Sequence, residues 1–179
     1  IGSKATAVVG NSISDLIGGM NEASATWKTF SGNMTISGKT TKQTTKVRKD
    51  LQKFAEQTIY SSSDMASTYA QLAAVGTKNT TKLVKGFGGL ASAAEDPKQA
   101  MKTLSQQATQ MAAKPKVQWE DFKLMVEQTP AGVAAVAKTM GKSTQQMIKD
   151  VQDGKISTEE FFDAVAKTGT NKQFTKMAT

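Results

Sequence analysis

From Val47 onward, apolar residues return every third or fourth position, and residues that start or stop helices interrupt the pattern at short intervals. That period confines the chain to helices, because few segments alternate apolar and polar with the period of two that a strand requires. Val47, Leu51, Phe54, Ala55 and Ile59 form one stripe, and Met65, Tyr69, Leu72 and Ala73 form the next. Leu83, Val84, Phe87, Leu90 and Ala91 follow, then Met101, Leu104, Ala108 and Met111. Trp119, Phe122, Met125 and Val126 make another, and Val133, Val136, Ala137 and Met140 another. Ala, Gln and Lys are plentiful, while Val, Ile and Tyr are sparse. The expectation is an all-α fold: a compact bundle of about seven short helices with an N-terminal helical arm, rather than a long coiled coil.

The punctuation between the stripes has a physical grammar. Ser61, Ser62, Ser63 and Asp64 offer side-chain oxygens to the free N–H groups of a helix start. Gly76, Gly141 and Gly154 stand where a left-handed helix cap is expected. Asp96-Pro97 joins an acidic cap to a proline whose missing N–H is harmless in the first turn. Lys114-Pro115-Lys116 and Pro130 end helices. Ser143 with Gln146, and Ser157 with Glu160, have the spacing of capping boxes, and Ile156 with Phe161 that of a hydrophobic staple. Gly86, Gly88 and Gly89 each cost a helix about 1 kcal/mol against Ala, a cost that close approach of another helix would explain.

Two segments precede this region. Residues 5–28 carry Val9, Ile13, Leu16, Ile17 and Met20 on one helical face, which would pack on the bundle or meet a membrane or partner helix. Residues 31–46 are almost wholly Ser, Thr, Gly, Lys and Asn, and read as a linker. The expected organisation is therefore 1–46, an amphipathic helix with a polar basic linker, and 47–179, a helical domain. The chain opens on Ile and reads as a piece of something longer.

Chemistry is narrowed by what the 179 residues lack. There is no Cys and no His, which removes thiol nucleophiles, thiolate and imidazole metal ligands and the usual base near neutral pH. Gly38-Lys39-Thr40 and Gly141-Lys142-Ser143 end like a phosphate-binding loop, but Asn33 and Val136 stand where its first Gly belongs, and no strand precedes either. Asp153-Gly154-Lys155-Ile156-Ser157 with Glu160 imitates half of a calcium loop, yet Lys149 and Val151 occupy two positions that must supply oxygen. The pairs Glu95-Asp96, Glu120-Asp121 and Glu159-Glu160 all fall at helix starts, where the dipole favours acids. No residue is assigned a catalytic, cofactor-binding or metal-binding role, and no enzyme activity is expected.

The net charge is +8. Much of it lies in Lys39, Lys42, Lys46, Arg48, Lys49 and Lys53, opposed by Asp50. The plainer reading is a solvated linker; the alternative is nonspecific nucleic-acid contact, as in a basic helical binding module. No aromatic residue lies among these cations to stack on bases. The methionines, 9 in all, fall at helical spacing and read as core filler or, alternatively, as an adaptable partner groove. Lys116–Phe122 and Lys155–Phe161 echo each other: Lys, a β-branched residue, a cap site, one variable residue, two acids and Phe. Convergent helix-start grammar explains the echo more simply than duplication does.

The order of these signals from Leu51 to Phe174 resembles the tape measure domain of tail tape measure proteins in tailed bacteriophages and prophages. The resemblance is carried by Phe54-Ala55-Glu56-Gln57-Thr58, Tyr69-Ala70-Gln71-Leu72-Ala73-Ala74-Val75-Gly76 and the run Leu104–Lys114. It continues through Val117-Gln118-Trp119-Glu120-Asp121-Phe122, the Pro130 turn, Met140-Gly141 and the run Asp153–Phe161. It covers about two-thirds of the chain, with Gln118 where Ser or Thr is the more usual cap. The resemblance implies a noncatalytic structural domain acting in tail assembly, length determination and genome delivery. It places the chain in the tail lumen of the virion, and in the host cytoplasm during assembly. The implied partners are the tail tube, tail tip and assembly chaperone, with self-association within the tail. The family supplies no catalytic residues to carry over.

Overall fold

The computed structural model describes residues 25–179. Helical residues 25–36 (α1) are followed by α2 (Thr41–Gln57), α3 (Ser62–Ala74), α4 (Thr80–Ala91) and α5 (Pro97–Ala112). Then come α6 (Trp119–Gln128), α7 (Pro130–Thr139), α8 (Thr144–Gln152), α9 (Thr158–Gly169) and α10 (Lys172–Ala178). The all-α expectation holds, but there are ten helices among the described residues rather than about seven. Short elements raise the number. The last, α10, has 7 residues and starts at Asn171, whose Oδ1 accepts from the Phe174 N–H at 3.0 Å and so helps seat Phe174 and Ala178 in the core. The arm residues Val9, Ile13, Leu16, Ile17 and Met20 lie outside the described residues.

The expected linker at 31–46 is corrected. Residues 31–36 and 41–46 are helical, and only 37–40 turn. One reason is apolar: Trp27, Phe30 and Met34, at i, i+3 and i+7, are each 2% exposed and carry a core-facing stripe into the polar run. Trp27 and Phe30 meet edge to face at 5.0 Å. The other is that the hydroxyls bond the helix instead of competing with it. Thr35 Oγ1 donates to the Ser31 carbonyl at 3.0 Å and Ser37 Oγ to that of Asn33 at 2.9 Å. Thr40 and Gln43 close a reciprocal capping box at the start of α2. The Ile59 assignment is corrected too. The chain leaves α2 at Thr58 in extended conformation, so Ile59 is 41% exposed and Tyr60 turns inward instead. Burial, with the Asp64 carboxylate nearby, pushes the Tyr60 hydroxyl well above its ordinary range, and that hydroxyl donates to the Gly88 carbonyl.

Most local punctuation is as expected. Ser61 with Asp64 and Ser157 with Glu160 form capping boxes, and Asp96 caps α5 ahead of Pro97. Gly76, Gly141 and Gly154 take positive φ of 79°, 77° and 70° at helix ends. Ile156 and Phe161, the two staple positions, are each 1% exposed. Pro130 both stops α6 and opens α7, with Thr129 between them. Thr129 Oγ1 accepts from the Gly132 N–H at 3.3 Å and donates to the Leu90 carbonyl at 2.8 Å, which ties α7 to the end of α4.

The core is organised around α4, whose Leu83, Val84, Phe87, Leu90 and Ala91 are all buried. Its main partner is α9, with α5, α7 and α3 also packed against it. The close approach that the glycines allowed is realised here. A Cβ on Gly86 would stand 2.6 Å from the Val165 carbonyl oxygen, and one on Gly89 would strike the Gly169 carbonyl. The two echoing segments lie side by side. Lys116 and Ser157 form an isolated antiparallel bridge, in which the Val117 N–H donates to Ile156 O and the Thr158 N–H to Pro115 O, both at 3.0 Å. Phe122 and Phe161, the last residues of the two echoes, then meet edge to face at 5.7 Å.

Candidate functional site

Each chemical-looking motif has a definite place in this fold. Lys149 and Val151, the blocked calcium positions, are inside α8, and Val151 is 3% exposed. No ligand loop forms there, since the Gly154 and Lys155 N–H groups close the helix onto the Val151 and Asp150 carbonyls. Among the described residues no group of three or more His, Cys, Asp or Glu side chains gathers to hold a metal ion. The phosphate-loop imitations are helix starts: Thr40 caps α2 and Ser143 caps α8. Of the acid pairs, Asp96 Oδ1 accepts from the Gln99 N–H at 3.2 Å and Glu160 Oε1 from the Ser157 N–H at 2.8 Å. Gln118 makes no side-chain cap at α6; its amide donates to the Lys116 carbonyl instead.

Two lysines, in contacts not readable from spacing, pair with acids: Lys114 with Glu120 and Asp121, and Lys142 with Asp150. Lys114 reaches Asp121 at 3.3 Å and Glu120 at 3.8 Å, and the Asp121 carboxylate is nearly buried. Lys142 Nζ lies 2.6 Å from Asp150 Oδ2. Gln146, expected to complete a capping box with Ser143, donates its amide to Asp150 Oδ1 at 2.7 Å. Ser143 still accepts from the Gln146 N–H, so the box is half made. A bond to an ionised acceptor outcompetes one to a neutral backbone group.

These bonds, first from Lys142 and then from Gln146, hold the Asp150 carboxyl below its usual range, against the opposing effect of its burial. A depressed folded pKa stabilises the protein above the unfolded value near pH ~4, and this contribution is lost as pH falls through the folded one. Urea midpoints of the wild type and Asp150→Asn should therefore differ by a constant amount above about pH 5 and converge below about pH 4. A difference that persists unchanged into acid would show that the carboxylate charge is not what stabilises this corner.

One groove, about 470 Å³, runs between α1 and α3. It is lined by Thr26, Thr29, Asn33, Ala66, Ala70 and neighbours, with no titratable side chain. A second, about 350 Å³, lies where α3 and α5 end and α9 begins, and presents Lys78, Lys114, Glu159 and Asp163. Lys114 is already committed to Asp121. No helix among the described residues is long and apolar enough to cross a membrane.

The basic cluster is rearranged most. Lys39 sits before α2, while Lys42, Lys46, Arg48, Lys49 and Lys53 ride on it, all exposed. Arg48 lies with its guanidinium carbon 5.3 Å from the centre of the Trp27 ring, a cation–π contact that turns it toward the bundle. Lys46 pairs with Asp50 at 3.3 Å. The spacing of the lysines was legible in the sequence; their common face was not, because the surrounding Thr and Gly residues concealed the helix.

No curated protein and no solved structure matches the chain. The family model described as "Tape measure protein" matches residues 4–179, nearly the whole length and more than the stretch over which the resemblance was traced. The chain therefore belongs to the tape measure protein family, whose place is a structural one in the phage tail.

Proposed function

We propose that this chain is a noncatalytic packing domain of a tail tape measure protein, acting in tail assembly and length determination and accompanying genome delivery. The observation that supports this most is the family match over residues 4–179. The core is consistent with it: Ser61, Asp64, Asp96, Ser143, Ser157 and Glu160 serve as caps, and Glu120 and Asp121 pair with Lys114. Tail tube, tail tip and assembly chaperone are the partners this reading carries, with self-association inside the tail.

The fold also suggests how such a domain would count toward length. Residues 47–179, drawn out as one helix, would span about 200 Å. Packed as here, a unit of that size is about 40 Å across. Deleting that span in frame from the phage that encodes it should shorten tails by about 40 Å if the bundle stays folded in the tail, and by about 200 Å if it opens into an extended helix. Electron micrographs of deletion and parent phage read the difference directly. Tails of unchanged number and length would remove length determination and assembly from this domain.

A further inference from the structure

We propose that the solvent face of α2 is a docking surface for the phosphate backbone of double-stranded DNA. Lys42, Lys46, Lys49 and Lys53 stand at i, i+4, i+7 and i+11 of one helix, and all are exposed. With 3.6 residues per turn they fall within an arc of roughly 60° and extend over about 17 Å of axis. The opposite face is anchored by Thr44, Leu51 and Ala55, all buried, so the row is held in place by the core rather than carried on a loose arm.

The row is unfavourable for the free domain. Lys42 with Lys46, Lys46 with Lys49, and Lys49 with Lys53 are like-charge neighbours on one helix face, which repel. Lys42 stands in the first turn, where the dipole disfavours a cation, and that turn has no acid. Among the described residues the one ion pair on the face is Lys46–Asp50. An anionic partner offsets these repulsions with attractions of its own.

The side chains also select among anionic partners. Protein interfaces are poor in Lys and rich in aromatic residues and Arg; this face holds lysines with Thr45 and Gln52 beside them. Arg48, the one guanidinium on α2, lies off this face beside the Trp27 ring, so the row itself carries no forked donor suited to carboxylates and guanine edges. The apolar residues of α2, Val47, Leu51, Phe54 and Ala55, are buried or packed against the core, which leaves little apolar surface to enter a lipid layer. What remains is a row of point cations, which suits a regular line of phosphates and reads no sequence. This inference goes beyond the tail-assembly reading and does not depend on it.

Fluorescence anisotropy of the 179-residue chain with a labelled duplex of about 20 base pairs tests it. A plot of log affinity against log salt should have a slope of about −3, roughly a 50- to 100-fold loss between about 50 and about 200 mM salt. A duplex of unrelated sequence should bind within about twofold. Changing all four lysines to Gln should weaken binding at least about tenfold at low salt, with thermal melting unchanged or raised. The pair Lys42→Gln and Lys53→Gln, a smaller perturbation, should flatten the slope by about 2. Lys98→Gln with Lys102→Gln, on α5, should leave it alone. Absence of binding at low salt, or equal binding by a folded quadruple variant, would overturn the proposal. So would tighter binding to anionic lipid vesicles than to duplex, lost in the same variant.

Discussion

Gly169→Ala should lower stability by about 3 kcal/mol or more, among the largest effects of any single methyl group added to this protein. Its Cβ would strike the Gly86 carbonyl group, whose carbon would lie 2.5 Å away, and the Gly86 Cα 2.6 Å away. Both partners are backbone, so no rotamer change relieves the clash; α4 and α9 must move apart. Phe87 and Phe162, whose rings meet edge to face at 6.0 Å across the same contact, would lose part of their packing with it. In a chain of this size the melting temperature should fall by roughly 6–12 °C. Gly32→Ala supplies the opposite sign. Gly32 lies within α1 with nothing within 4 Å of an added Cβ, so the change should be neutral or stabilise by up to about 1 kcal/mol through helix propensity. Thermal melts followed by circular dichroism report both. A Gly169→Ala protein melting like the wild type would show that the two helices do not cross this closely.

Phe161→Ala should cost about 3–5 kcal/mol. Phe161 is 1% exposed, lies edge to face with Phe122 of α6 at 5.7 Å, and touches Phe162 at 6.1 Å. Phe162 in turn meets Phe87 of α4, so one row of rings joins α6, α9 and α4. Removing the ring takes away its transfer energy and leaves a cavity that the three surrounding helices cannot close without moving. It also removes the residue that follows the Ser157–Glu160 capping box at the start of α9. Ile36→Ala, at a side chain 85% exposed, should stay within about 0.5 kcal/mol. Urea denaturation measures both, and a loss under about 1 kcal/mol for Phe161→Ala would contradict the packing described.

Both expectations concern places where the sequence is readable only in part. The Ser157–Glu160 box, the Asp96-Pro97 start and the Gly76 cap were legible because each is complete within a few residues of chain. The three α4 glycines were legible as a cost; for Gly86 and Gly89 the reason is a helix about eighty residues away, and for Gly88 it is the rings of Phe54 and Tyr60. Gln146 was expected to bond back to its own helix start and instead serves Asp150, because Lys142 has already fixed a carboxylate within reach. The polarity of the run 31–46 reads as linker. Trp27, Phe30 and Met34 supply the burial that makes its first part helical, and the Thr40–Gln43 box starts the rest. The basic cluster shows the same division. Its residues were identified, but α2 places four lysines on one face, sets Lys39 off the helix and turns Arg48 onto a ring.

The amino-acid order by itself determined that this chain is helical, where most helices begin and end, and that Cys and His chemistry is absent, because those properties reside in residues a few positions apart or in composition. Only the tertiary structure decided which helices touch, which cations stay free and which are spent on carboxylates or rings. Those outcomes depend on distances between residues remote in sequence, and such distances exist only once α4 and α9 have closed against each other and drawn the remaining helices around them.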